Sequence, residues 1–206
     1  MADPRASDVD QNVGHHLGLR YTPRFDAAVQ LALADFRRVT RKSTTIPYVS
    51  HLFAVTSLVA EAGGDEDQLV AAMLHDWLED IPEASAAELE RQFGFRVRQL
   101  VEALTDTVEH PKPPWKERKE RFIAHIRHQP AEVKVVCCAD KLHNAQTLAR
   151  DLRLSGPATM DRFRGGREGT VWYYAAVSEA LGHGWQHWLH DELEHTVARI
   201  RELAKG

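Results

Sequence analysis

The sequence predicts an all-α protein, on three observations. Apolar residues recur three and four apart along most of the chain, the period of helices with one buried face. Capping signatures and Pro or Gly breakers separate these runs. No segment alternates apolar and polar residues between hairpin turns, as half-exposed strands would. With 206 residues the chain can bury a substantial core in one domain, and no internal repeat of fixed period divides it.

Taken in order, the residues from Met1 to about Thr22 are polar and aperiodic, and are expected to form a flexible arm ahead of a single domain over residues 23–206. Phe25, Val29, Leu33 and Phe36 mark a first helix, and His51, Val55, Leu58 and Val59 a second after the turn-like TTIP. A third is expected to start at Asp65, where Asp-x-x-Gln has the form of a capping pair, and to end before Pro82 with the run HDWLED at its C-terminal end. Ser85 and Glu88 cap a short helix that stops at Gly94, and Val97, Leu100, Val101 and Leu104 mark the next. The stretch HPKPPW from His110 to Trp115 breaks the pattern as a loop. A basic helix with Phe122, Ile123 and Ile126 as its apolar face follows, then an apolar helix from about Ala131 to Leu152. Two more close the chain, one around Val171 to Leu181 and one with Leu189, Leu193, Val197 and Ile200 in a single stripe.

The formal net charge of −4, with twelve histidines counted as neutral, does not suggest the broad basic surface of a nucleic-acid scaffold, though a local basic pocket for a small anion remains open. Cys137 and Cys138 are adjacent in an apolar run and read as small core side chains in a reducing compartment. No apolar run approaches the roughly 20 residues needed to span a bilayer. A soluble cytoplasmic protein is expected, with neither a nucleic-acid nor a membrane partner.

His51, the adjacent pair His75 and Asp76, and Asp140 offer two imidazoles and two carboxylates, a set able to hold one divalent cation. Asp140 follows the apolar run VKVVCCA, and a buried carboxylate is costly unless paired with Lys or Arg or bound to metal. Both resolutions are open at this stage. Asp140, Asn144 and Thr147 fall at i, i+4 and i+7 and share a helix face. Glu79 and Asp80 stand four residues after His75 and Asp76, which suits a pair of acid/base carboxylates beside an activated water. Manganese, iron or zinc each matches a nitrogen and oxygen donor set without thiolate. Arg41 and Lys42, with Ser43 and Thr44, can bind phosphate or stack on a base, or form an ordinary basic helix end. Trp172 and Tyr173 fit base stacking or the core equally. His183, His187, His190 and Glu194 have the spacing of a second metal site but read better as a solvated face. The basic run Lys112 to Arg121 either flanks the pocket or is a solvated face.

In this order, RKSTTIPYVSH, HDWLED, FGFRVRQLVEALTD and ADKLHNAQTL closely resemble the hydrolase domain of the RelA/SpoT alarmone enzymes, within the HD superfamily, over roughly Phe25 to Leu181. The resemblance implies an HD-type helical bundle with a central metal site, of the small alarmone hydrolase type. By position it implies His51, His75, Asp76 and Asp140 as metal ligands, with manganese the usual ion. It implies Glu79 and Asp80 as the pair that activates water and assists at the scissile phosphate. Arg41, Lys42 and Ser43 match the nucleotide-binding motif, and Asn144 and Thr147 match residues facing ribose and phosphates. The implied reaction removes the 3′-diphosphate of ppGpp or pppGpp, giving GDP or GTP and pyrophosphate. Leu52 stands where the family often has Pro, a change that leaves ligation unaffected. The segment FRGGREGTVWYYAAV departs more from the long enzymes. Two rival readings are an HD-type phosphatase for another nucleotide (NADPH, a 3′-phosphorylated adenine nucleotide or a deoxynucleotide monophosphate) and a non-catalytic nucleotide sensor.

Overall fold

Capping and breaker residues set the element boundaries in the computed structural model, which describes residues 21–109 and 111–205. The helices are α1 (Pro23–Asp35), α2 (Val49–Glu61), α3 (Glu66–Leu74), α4 (Trp77–Asp80), α5 (Ala86–Phe93), α6 (Phe95–Leu104), α7 (Trp115–Arg127), α8 (Ala131–Ser155), α9 (Gly166–Gly182) and α10 (Trp188–Leu203). A 3₁₀ segment, Pro157–Arg162, joins α8 to α9. No strand is present among the described residues, where an isolated bridge between Thr40 and Pro47 is the nearest approach to one. The chain is all-α, as its periodicity predicts.

The capping signatures do what the sequence assigns them. Asp65 and Gln68 form a reciprocal capping box, and Ser85 Oγ accepts from the Glu88 amide at 3.2 Å. Gly94 ends α5 with a φ of 91°, a conformation that side chains with a Cβ disfavour. Of the expected arm, residues 1–20 lie outside the described residues, as does His110 of the HPKPPW stretch. Thr22 belongs to the fold: its hydroxyl accepts from the Arg24 amide and donates to Glu66 Oε1 at 2.7 Å.

The long helix α8 is where the packing converges. Val133, Val136, Cys138, Ala139, Leu142, Ala145, Leu148 and Leu152 are all buried on it. The group α1, α2, α3 and α6 meets the group α7, α9 and α10 at this helix. Burial on most sides explains why its first half reads as a nearly unbroken apolar run. Cys137 and Cys138 are free, buried core residues.

Two expectations are corrected. The buried face of α1 is Ala28, Ala32 and Phe36, while Leu33 is 40% exposed. α1 packs against α3, and the buried residues within the helix are alanines, which a search for large apolar residues passes over. The helix expected from Asp65 to Pro82 is broken into α3 and α4, with His75 and Asp76 in the break. Trp77 anchors the second piece: its ring is buried and its indole N–H donates to Asp35 Oδ2 at 2.7 Å.

Trp115, first residue of α7, lies against α9 where Gly165 and Gly169 leave room for its ring. A Cβ at Gly165 would stand 2.6 Å from Trp115 Cη2. Gly165→Ala therefore forces the indole out of its seat, and overpacking of this kind costs about 1–3 kcal/mol. Thermal unfolding should show a midpoint several degrees lower, at about 2–4 °C per kcal/mol for a chain of this size. An unchanged midpoint would mean that Trp115 does not hold α7 to α9.

Candidate metal centre and substrate cavity

Three elements bring the four sequence-predicted ligands to one point: His51 in the first turn of α2, His75 and Asp76 in the break between α3 and α4, and Asp140 midway along α8. His51 Nε2 lies 3.1 Å from Asp140 Oδ1 and 3.8 Å from Asp76 Oδ2. His75 Nε2 lies 2.9 Å from Asp76 Oδ2 and 3.7 Å from Asp140 Oδ1. Both imidazoles are buried, yet neither Nε2 has a hydrogen-bond partner among the described residues. Orphaned buried nitrogens are rare and call for an occupant.

The opposite ring nitrogen fixes the tautomer of His75 and gives His51 a partner. His75 Nδ1 lies 2.8 Å from the Ala72 carbonyl, which has no proton to give, so Nδ1 carries the hydrogen and, in the neutral ring, Nε2 carries the lone pair. His51 Nδ1 lies 2.7 Å from Nδ1 of His143, whose ring stacks on it at 4.9 Å. Burial, then the nearby His51 and Arg41, push His143 down to about 4, so it is neutral and can accept. With His143 as the acceptor, His51 donates from Nδ1 and presents a lone pair at Nε2, the tautomer that a cation requires. Ligand atoms of His51, His75 and Asp76 lie within 4.8 Å of one another, and Asp140 Oδ1 adjoins both imidazoles, a donor set that fits a divalent cation.

The carboxylates are held in their charged form. Burial pushes Asp140 up, but Lys141, with Nζ 2.5 Å from Oδ2, and the two imidazoles bring it well below the usual carboxylate range. Asn144 Nδ2 donates to Asp140 Oδ1 at 2.5 Å, and Asn144 Oδ1 accepts from Arg41 Nη2 at 2.6 Å. Tyr48 donates its hydroxyl to Asp76 Oδ2. His75 is opposed by burial, yet Asp76 and Asp140 raise its imidazole well above 6.5.

Glu79 and Asp80 line a polar cavity of about 180 Å³ together with Asp76 and Asp140. The broken helix still delivers them there, because α4 restarts from the Asp76 carbonyl, which accepts from the Asp80 amide at 3.0 Å. Lys112 Nζ lies 2.8 Å from Glu79 Oε1 and 3.9 Å from Asp80 Oδ1. Burial, then the charges of Asp76 and Glu79, raise Asp80 to about 6. Asp106, buried between Arg118 and Lys119, lines the same cavity with Lys141 and Tyr173. The run from Lys112 to Lys119 thus flanks the pocket, although Lys116 and Arg121 at its outer side are exposed.

A second cavity, of about 260 Å³, lies on the other side of Tyr48 and Asn144, which line both. Arg41, Lys42 and Thr147 line it, as do Arg162, Phe163 and Tyr174. Arg41 sits over the Tyr48 ring at 5.8 Å and Lys42 over Phe163 at 5.6 Å. Ser43 is exposed at the tip of the loop with a φ of 57°, and Thr44 lines the cavity in its stead. Trp172 lines neither cavity; it packs edge-on against Trp115 with Lys116 Nζ 3.1 Å above its ring. The C-terminal histidines do not form one helix face. His183 precedes α10, His187 is its N-cap, and His190 is buried with Nε2 2.9 Å from the Ser178 carbonyl, where a solvated face was expected.

Sequence reasoning missed Tyr48, His143 and Asp106, and named Lys112 only as the start of a basic run, without its partner Glu79. His143 and Asp106 stand inside quoted motifs, at ADKLHNAQTL and VEALTD, but a lone His or Asp carries no signal until the partner across the bundle is known.

The HD domain family model matches residues 28–161. A Xenopus tropicalis protein, guanosine-3′,5′-bis(diphosphate) 3′-pyrophosphohydrolase MESH1, is 36% identical over 133 residues, covering 61% of this chain and 72% of that protein. The bifunctional (p)ppGpp synthase/hydrolase SpoT of Escherichia coli K12 is 30% identical over 158 residues, covering 74% of this chain and 21% of that one. A solved structure described as a metazoan ortholog of SpoT that hydrolyzes ppGpp and plays a role in starvation responses aligns with a TM-score of 0.72 and 29% identity, over 88% of this chain and 97% of that one.

Two outcomes follow from the tautomers. His143→Phe removes the acceptor that fixes His51, so manganese affinity by calorimetry should fall by about 10- to 100-fold; an unchanged isotherm would show that His51 needs no such support. A cation requires the neutral form of His75, whereas Asp76 and Asp140 favour its protonated form in the metal-free protein. Cation binding should then release a proton, and apparent affinity should rise with pH until His75 is neutral without help. Calorimetry in buffers of different ionisation enthalpy measures the proton; its absence would contradict the assignment.

Proposed function

The chain belongs to the HD domain family, and from that premise we propose that it is a metal-dependent guanosine-3′,5′-bis(diphosphate) 3′-pyrophosphohydrolase, converting ppGpp or pppGpp to GDP or GTP and pyrophosphate. One observation supports the reading: the cluster of His51, His75, Asp76 and Asp140 adjoins a polar cavity holding Glu79 and Asp80, and Tyr48 and Asn144 are shared between that cavity and a cation- and aromatic-lined one able to receive a nucleoside. His51, His75, Asp76 and Asp140 are the metal ligands in this reading, and manganese suits their mixed nitrogen and oxygen set. Free, buried cysteines are in keeping with a cytoplasmic enzyme acting on a small molecule.

When bound, a divalent cation supplies Lewis-acid polarisation of a phosphoryl oxygen and a more acidic water. Glu79, held by Lys112, takes the proton of the attacking water. Asp80, protonated below about 6, supplies a proton to the departing ribose 3′-oxygen. The water oxygen ends on the released pyrophosphate and the proton on the ribose hydroxyl. Lys112, Lys119 and Lys141 offset the charge of the departing diphosphate. Arg41, Lys42, Asn144 and Thr147 hold the ribose and base side, and Ser43, exposed at the loop tip, contributes to that motif through the loop's shape.

Purified protein with manganese should convert ppGpp to GDP and intact pyrophosphate, and should leave GTP and GDP unconsumed. Release of orthophosphate, or faster cleavage of NADPH, would move the function to a different phosphatase. Glu79→Gln should bind manganese normally and lose roughly 10²–10⁴ in rate. Full turnover by this variant would remove Glu79 from the chemistry.

A further inference from the structure

The polar stripe of α8 does not stop at Thr147. Asp140, Asn144, Thr147 and Asp151 fall at i, i+4, i+7 and i+11, one continuous face. At 1.5 Å per residue, Asp151 stands about 16 Å along the axis from Asp140, and it lines the larger cavity. Asp151 is the one carboxylate lining that cavity among the described residues, and its companions there include Arg41, Lys42, Arg150 and Arg162. A carboxylate opposes a phosphate, so the group that meets Asp151 must present hydrogen-bond donors.

Its surroundings leave it able to accept them. Arg162 Nη2 holds Asp151 Oδ2 at 2.6 Å, while Oδ1 has only long 3.4 Å contacts with Arg150. A carboxylate has about four acceptor sites, so most of Oδ1 is free. The Arg162 guanidinium also lies 4.8 Å from the centre of the Phe163 ring, which gives the pair a flat apolar neighbour. Donor and acceptor therefore stand side by side next to an aromatic face. Guanine presents the complement, an O6 acceptor beside the N1–H and N2–H donors; adenine presents the opposite order, a donor beside an acceptor.

We infer that Asp151, held by Arg162, reads the Watson–Crick edge of a guanine base and sets the purine selectivity of this chain. The inference rests on the pyrophosphohydrolase reading for its substrate but not for its test. An ion pair that merely ties the 3₁₀ segment to α8 would affect stability and leave base preference where it was.

The experiment measures GDP and ADP binding by calorimetry in the presence of manganese, for wild type, Asp151→Asn and Asp151→Ser. It also compares kcat/KM for ppGpp and its adenine counterpart. Wild type should prefer GDP, and both variants should reduce the GDP/ADP affinity ratio at least about fivefold, the low end of the discrimination that a bidentate base contact provides. The loss should enter KM and leave kcat nearly unchanged, because Asp151 is remote from the reacting phosphorus. No guanine preference in wild type, or the same ratio in both folded variants, would overturn the inference. A chain that fails to cleave ppGpp but loses its GDP preference on these substitutions would refute the pyrophosphohydrolase reading alone.

Discussion

A carboxylate midway along a helix buried on most sides is the constraint on which the site depends. Asp140 has apolar residues around α8 on nearly every flank, where an isolated ion loses several kcal/mol of solvation. Its two oxygens are compensated separately. Lys141 takes Oδ2, while Asn144 and the imidazoles of His51 and His75 face Oδ1. The two resolutions that the sequence leaves open, ion pair and metal ligand, are thus compatible because they use different atoms. The ion pair holds Asp140 charged, and a charged carboxylate is the form a cation requires.

The break between α3 and α4 answers the same constraint from the other side. In a continuous helix, adjacent side chains diverge by about 100°, and His75 and Asp76 could not both face Asp140. In the break, His75 Nε2 and Asp76 Oδ2 come within 2.9 Å of each other, His75 Nε2 lies 3.7 Å from Asp140 Oδ1, and Asp76 lines the same cavity as Asp140. The neighbouring apolar groups make this conformation tolerable: Trp77 is buried and tied to Asp35, and Leu74 is fully buried on the preceding turn. A local irregularity at a candidate site is where uniform helix periodicity should fail.

The all-α class and most helix boundaries were legible because they depend on period and caps, both of which are local. Asp65, Ser85 and Gly94 act as their residue types suggest. The gathering of His51, His75, Asp76 and Asp140 was legible because His75 and Asp76 are adjacent and Asp140 interrupts an apolar run. Partners across the bundle were not. His143 takes its meaning from His51, ninety-two positions away, and Lys112 from Glu79, thirty-three positions away. Leu33 and His190 were misplaced for a related reason: which face of a helix is buried depends on its neighbours as well as on its own pattern.

α8 also acts as a rule laid across the site. Because the helical rise and rotation are fixed, Asp140, Asn144, Thr147 and Asp151 have set separations along one line. Asn144 on it lines both cavities and accepts from Arg41, while Asp140 faces His51. A nucleotide lying along this line would meet charge compensation at one end and hydrogen-bonding edges at the other. A one-residue insertion between Asp140 and Thr147 would rotate the later positions by about 100° and turn them from the cavity into the apolar packing. The buried surroundings of α8 thus hold the order of the site as firmly as they hold the fold.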